Sequence, residues 1–533
     1  MLSSGSHQPP KHIPMTHHRI QKNPNRPNFF QRIWHARTDF LLGLLFLLIT
    51  VLYAIFMLTD RVPLLGWLLL AGLWLAYAFT SGRLSFPTPL DLPILALVIL
   101  LPISYAISTD PASSQTKITG LLLGIALFYL IVNAVRDFQT LRLVIIALII
   151  LAIGTATLGF VGMDAADGFL ETLPEALTQP LDAVRAAIGE GGVHVNTVGG
   201  AMAFFLPLLV SLLWDGGAYY RKYLKRKRFS QAHKLLYVLL LLLALLLVAL
   251  ALWQTSSRGA YLGCAVGLIA LAIWKDRRFL WLLPVIVIAL MAFFFINADG
   301  DFSKLIAILD AGEDQTLAGR LNAWRHSLIL IQDFPLTGTG IGTYSAVFED
   351  RYLFEIFPYR TTAYLHTHNT FLSVAVDLGL PGLVAYVGML TGCGVMIWRT
   401  RKLGRSILRV LIKGLACGLL AHQIFGLADA FVLGTKLGAI QWIFLGLVAA
   451  VFTHQDAFRG KHDADAITKP DWGRLKAQGR DISIGLGWWL LISLAALTFI
   501  ILSPLVSVFT SIIGGVLLGL LLTKSYRKVR TRT

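Results

Sequence analysis

The sequence predicts an all-α integral membrane protein with about twelve core transmembrane helices, two further ones towards the C-terminus and one large extracytoplasmic loop. Three observations support this. Of the 533 residues 56% are hydrophobic and only 14% are charged, against about 25% charged in a soluble protein. Apolar runs of about twenty residues recur along the chain, each long enough to cross a hydrocarbon core of about 30 Å. The basic residues, finally, collect in alternate loops between those runs, as the positive-inside rule requires of cytoplasmic loops.

The runs of the main block lie near 40–59, 63–80, 91–107, 118–134, 141–162, 198–214, 235–253, 259–274, 279–297, 371–398, 408–428 and 436–453. Two more, near 484–503 and 505–522, have the look of an appended hairpin. The implied organisation is a disordered basic N-terminus at 1–38, helices 1–9 within 39–297 and a loop at 298–370. Helices 10–12 follow within 371–453, then a basic loop at 454–483 and two extra helices with a basic tail at 484–533. The long polar stretch before the first run is unlike a secretory leader.

Net charge is +17, and its distribution points to topology rather than to nucleic acid. Basic clusters occupy the N-terminal segment, "RKYLKRKRFSQAHK" at 221–234, "KDRR" at 275–278, "RTRKLGR" at 399–405 and the 454–481 loop. The loops on the other side are acidic. The 163–197 loop has six Asp or Glu against Arg185 alone, and 298–365 has nine acids against five bases. Both termini are therefore expected in the cytoplasm, with anionic membrane lipids as the partner of the basic loops. Cys264, Cys393 and Cys417 all lie inside apolar runs, which suggests neither disulfides nor a cysteine metal site.

The 298–370 loop is long enough to be functional. Its segment "LAGRLNAWRHSLILIQDF" predicts an amphipathic helix with Leu317, Leu321, Trp324, Leu328 and Ile331 on one face. The "GTGIGT" at 338–343 follows a helix and Pro335 instead of a strand, so it predicts a glycine turn returning to the membrane rather than a dinucleotide site. No Walker pattern and no Asp-x-Asp pair occurs, which argues against a nucleotide-driven pump and a metal-dependent sugar-nucleotide transferase.

Three places could perform chemistry. Arg258, in "QTSSRGAYLG", stands at an outer helix start where the charge bias disfavours arginine, and Gly259 and Gly263 beside it form a close-packing surface. Arg320 opens the amphipathic loop helix. His366 and His368, in "LHTHNTFLSVAVDLGLPG", precede a long apolar run; two apart, they would diverge on a helix and share a face on a strand. Two arginines suit bidentate capture of phosphate, and histidine suits a general base near neutrality. Asp429, in "GLADAF", is a weaker candidate near a span end, where solvent could account for it.

At these residues the sequence resembles the O-antigen ligase and O-antigen polymerase superfamily of bacterial inner-membrane glycan transferases. "HNTFLSVAVDLGLPG" matches the ligase pattern through His368, Asn369, Gly379 and Gly382. "GRLNAWRHSLILIQDFPLTGTGIGTY", "SSRGAYLG" and "VNTVGGAMAFFLPLLV" resemble its other conserved segments, over about 190–450. The resemblance implies a GT-C-like fold with a periplasmic site. It implies transfer of a glycan from undecaprenyl diphosphate to an acceptor hydroxyl, on lipid A–core or a similar acceptor, with no cofactor and no metal. His368, Arg258 and Arg320 would be catalytic, and His366, Asn369 and Asp429 would join the arginines in binding substrate. A repeat-unit polymerase or a protein-O-oligosaccharyltransferase would look the same. A small-anion transporter, by contrast, would place its charges near mid-membrane.

Labelling of engineered single cysteines should find 221–234 and 454–481 in the cytoplasm and 163–197 and 298–370 outside. Finding 298–370 in the cytoplasm would separate the three key residues from a donor presented on the outer face.

Overall fold

A backbone that crosses hydrocarbon must satisfy its amides internally, and for apolar runs of this length the helix does so within one segment. The computed structural model describes residues 29–163, 194–215, 231–298, 300–301, 304, 317–351, 366–403, 406–430, 433–458, 472–498, 500 and 503–531. Residues 1–28, most of the two acidic loops, 216–230 and 459–471 lie outside the described residues, and with them most of the expectations for the basic N-terminus and loops; residues 29–38, expected to be disordered, are instead the start of a helix, and the basic tail is helical to Thr531.

The described chain is helical, without a strand. In order run α1 (Phe29–Thr59), α2 (Leu64–Ser81), α3 (Asp91–Ala106), α4 (Pro111–Ala134), α5 (Phe138–Gly162), α6 (Val195–Trp214), α7 (Gln231–Gln254), α8 (Arg258–Lys275) and α9 (Leu282–Ala298). Then come α10 (Leu317–Asp333), α11 (Tyr344–Arg351), α12 (Thr370–Thr400), α13 (Ser406–Phe425), α14 (Ala439–Thr453), α15 (Trp472–Thr498) and α16 (Pro504–Thr531). Twelve helices among the described residues are long and apolar enough to cross a membrane, while Asp91–Ala106 and Ser483–Thr498 are apolar but shorter. This is a multi-pass, all-α integral membrane protein, and each of the fourteen expected runs is helical.

Burial sorts the helices into an inner and an outer group. In α6, α12 and α14, 72% of the apolar window is buried, whereas in α9 none is; α9 faces lipid all round. The expected Gly259/Gly263 surface is an interface. Gly263 lies against Ala421 and Phe425 of α13, where an added Cβ would come within 3.2 Å of the Phe425 amide nitrogen.

The central helix α12 is broken. Gly379 has φ 70° and ψ −178°, and Pro381 follows it. The break frees groups that a continuous helix would pair, and the glycine-rich segment between α10 and α11 takes them up. Thr339 N donates to Val376 O at 2.7 Å, and Leu380 N donates to Pro335 O at 2.8 Å. Pro381 has no N–H to offer Asp377 O, which accepts instead from Ser104 Oγ of α3 at 3.4 Å. Ser104 Oγ in turn accepts from Ile341 N at 2.7 Å, and Ser114 Oγ of α4 donates to Ile341 O at 2.7 Å. The expected glycine turn is thus a buried wedge fastened to α3, α4 and α12. It also explains the shortness of α3, whose C-terminal end is covered where Gly340 meets Ser104 and Ser108.

The amphipathic helix forms as α10, and much of the expected face packs inward: Ile331 is buried and Trp324 and Leu328 lie against the same core. Ala323, Ser327 and Leu330 are buried as well and Leu321 is 42% exposed, because α10 packs against α12 and α16. Nor are the last two helices peripheral. Gly515 and Gly519 of α16 meet α12 backbone, with a Cβ at Gly519 only 2.7 Å from Gly388 O, and Trp489 Nε1 of α15 donates to Pro381 O at 3.0 Å. Small residues let these helices close on one another where lipid gives no hydrophobic drive.

Alanine at Gly379 or Gly338 should destabilise the protein by roughly 1–3 kcal/mol. A Cβ would stand 2.6 Å from the Leu336 carbonyl at Gly379 and 2.5 Å from the Asp377 carbonyl carbon at Gly338, both at positive φ. Melting temperature in detergent measures this; Gly154→Ala, with nothing within 4 Å of its Cβ, should not lower it.

Candidate functional site

At one end of the bundle the starts of α6, α8 and α12 meet the end of α13. Thr370 N donates to Gly426 O at 2.7 Å. Gly199 packs against Ser257 and Ala260, and Gly259 against Phe425 and Ala428. The opposite end carries basic side chains, with Lys275 and Lys413 of α8 and α13 on Asp215 of α6 at 3.3 and 3.4 Å.

The two histidines belong to neither a helix nor a strand, so neither of the two expected arrangements applies. Helix α12 begins only at Thr370, and His368 has φ 48°, a left-handed turn that brings both rings to one side. Their centroids are 4.1 Å apart, and both face Asp429. His366 Nε2 lies 2.8 Å from Asp429 Oδ1 in a hydrogen bond. His368 Nδ1 lies 3.3 Å from the same oxygen, within ion-pairing reach but off the line of a hydrogen bond. Asp429 is not solvated as its place near a span end suggested; it is 3% exposed, and Oδ2 is buried without a partner among the described residues. Burial by itself raises its pKa, but the hydrogen bond from His366 and the nearness of both imidazoles outweigh that and hold the carboxyl below its ordinary value. The ligand atoms of the three residues lie within 4.8 Å of one another, close enough for one metal ion to bridge them.

Beside this triad is a cavity of about 280 Å³, lined among others by Lys117, Asn196, Gly342, His366, Asp377, Asp429 and Thr435. His366 reaches the lining; His368, 6% exposed, sits behind it. Lys117 and Asp377 were missed in the sequence, although the signal was there. A charged residue inside an apolar run is a functional candidate by default; Asp377 stands within the 371–398 run and Lys117 directly before the 118–134 run.

Arg258 opens α8 and is exposed, next to Gly259 on the Phe425–Ala428 turn. Arg320, in the first turn of α10, has Nε buried without an acceptor among the described residues. One turn on, Trp324 Nε1 donates to His368 O at 3.4 Å, which ties α10 to the histidine segment. Neither arginine lines the cavity. Asn369 is engaged as the N-cap of α12: its Oδ1 accepts from Phe371 N and Leu372 N at 3.0 and 3.1 Å, and its Nδ2 donates to Leu427 O at 3.1 Å. The expectation that it binds substrate gives way to a cap.

Fold and site together define a polytopic membrane protein with a polar cavity at one end of its bundle, His366 and Asp429 on its lining and His368 behind them. Residues 242–387 match the family described as O-Antigen ligase, with Arg258, Arg320, His366 and His368 inside the matched stretch. The chain is also 36% identical over 75 residues to the exopolysaccharide production protein ExoQ of Rhizobium meliloti (strain 1021), a match covering 14% of this chain and 17% of the relative. The chain thus spans less than a fifth of the length of that curated relative. These findings support a glycosyl-transfer function. Lys117 and Asp429 lie outside the matched stretch.

Asp429→Ala should cost about 1–3 kcal/mol by leaving the half-buried His366 imidazole without its acceptor and the buried His368 without its neighbouring carboxylate, and Asp429→Asn less, since an oxygen remains. Equal melting temperatures for wild type and Asp429→Ala would show that the triad does not hold this end of the bundle together.

Proposed function

We propose that this chain is an O-antigen ligase-like glycosyltransferase of the bacterial inner membrane. It moves a glycan from undecaprenyl diphosphate to an acceptor hydroxyl, of lipid A–core or a similar acceptor, on the periplasmic face. The observation that carries this reading is the His366–Asp429–His368 triad opening on a cavity at the mouth of the matched domain. The acceptor oxygen attacks the anomeric carbon, the bond from that carbon to the phosphate oxygen breaks, and the diphosphate leaves. A histidine takes the hydroxyl proton, and Asp429 stabilises the imidazolium that results. The family-like motif assigns the base to His368; the cavity lining supports His366 as the ring that meets the hydroxyl. Arg258 and Arg320 grip the diphosphate and stabilise the charge on it as it leaves, a role supported by the unmatched Arg320 Nε. In this reading no metal takes part, both termini are cytoplasmic, and 1–38, 298–370 and 454–483 are separate extramembrane segments.

The likeness to an exopolysaccharide production protein favours a second reading, a repeat-unit polymerase with the same chemistry. Lipopolysaccharide gels of a deletion strain separate the two. Loss of the long ladder with polymer left on the lipid carrier means ligase, and a core bearing one repeat means polymerase.

Arg258→Lys and Arg320→Lys keep a charge but lose the planar fork, so transfer should fall sharply in both at normal expression. Near-normal turnover in either would remove that arginine from the site.

His368→Ala should lose about 10²–10⁴-fold in transfer while still binding the lipid-linked donor, and chelator should leave the wild type active. A larger loss in His366→Ala moves the base to His366, and inactivation by chelator would replace the base with a metal held by the triad.

A further inference from the structure

Lys117 is an ammonium placed where a membrane protein has reason to avoid one. It lies six residues into α4 from Pro111, roughly 9 Å along the helix at ~1.5 Å per residue, in a helix that qualifies as a membrane span. A charge at such depth is costly unless it is paired or faces a water-filled cavity. Pairing does not account for it: among the described residues no carboxylate comes within ion-pairing distance of the ammonium, although Asp377 and Asp60 act on it from further off. The cavity does, since Lys117 lines it together with His366 and Asp429.

Its neighbours direct it there. Gly342 leaves room for the stem, where a Cβ would stand 2.8 Å from Lys117 Cγ, and Gly434 lies against the Lys117 backbone, where a Cβ would stand 2.7 Å from its carbonyl carbon. Each of the two carboxylates on the lining has one oxygen engaged. Asp429 Oδ1 faces the histidines, and Asp377 Oδ1 accepts from Gly342 N at 3.2 Å. Among the described residues neither forms an ion pair with Lys117, which brings three N–H groups and a full charge to the cavity.

We propose that Lys117 is a substrate-binding residue that holds a phosphate oxygen of the donor diphosphate from inside the cavity. The assignment rests on the donor class proposed above. It puts positive charge on the lining that also carries His366 and Asp429, so that the departing oxygen leaves towards an ammonium while the triad handles the proton.

Calorimetric binding of farnesyl diphosphate, a short polyprenyl diphosphate, to the purified full chain in detergent tests this. Lys117→Met, which replaces the charge with an apolar side chain of similar length, should weaken binding about tenfold or more with an unchanged melting temperature. Lys117→Arg should bind within a few-fold of wild type. Lys117→Cys should be weak, and recover when 2-bromoethylamine rebuilds the ammonium; the native Cys264, Cys393 and Cys417 are buried. Wild-type affinity in Lys117→Met, with binding still weakened by Arg258→Lys, overturns this assignment alone. Recovery of binding in Lys117→Met/Asp377→Asn also overturns it, because Lys117 would then serve only to balance the Asp377 charge. No binding of the probe by the wild type, at concentrations where transfer proceeds, sinks the diphosphate-donor reading and this assignment with it.

Discussion

The architecture depends on the break in α12 and on the segment that repairs it. A helix interrupted inside a membrane protein leaves amides and carbonyls that lipid cannot satisfy, and here Pro335, Thr339 and Ser104 satisfy them. That repair fixes the geometry of everything nearby. It sets the length of α3, draws α4 against the wedge through Ser114, and turns Gly342 towards Asp377. The cavity lies along the inner side of this seam, so the polar lining and the helix break are one construction.

Much of this was legible in the sequence, and for identifiable reasons. Helix number and position follow from apolar run length, which is a local property. Arg258, Arg320, His366 and His368 were recognisable because each sits in a short stretch of unusual composition. Arrangement was less legible. The buried face of α10 is chosen by α12 and α16, so Trp324, Leu328 and Ile331 of the expected stripe pack inward while Leu321 does not. The histidines converge because of one positive φ at His368, which no periodicity announces. Asp429 becomes central only when a turn after α13 is laid against a turn before α12, and Lys117 meets that pair from α4. Contacts between residues so far apart in sequence leave no trace in any window of the chain.

The site also shows how a membrane protein can keep charge at depth. Asp429 has two imidazoles on one oxygen, and Asp377 has a backbone amide and the influence of Lys117. Such partly matched groups are poor devices for stability. They are good devices for holding a cavity polar, because each has hydrogen-bonding capacity that the protein leaves open, as Asp429 Oδ2 and Arg320 Nε both do.

The glycine seam between α12 and α16 has a consequence for biogenesis. The histidine segment leads into α12, whose break is held from one side by the 335–342 wedge and whose inner half is clasped by Gly515 and Gly519 of α16. During synthesis α12 enters the membrane before α15 and α16 exist, and until they arrive its small-residue face can meet only lipid. This end of the bundle is therefore completed from behind and late, so that a chain halted anywhere before α16 would span the bilayer many times and still lack the support that settles α12.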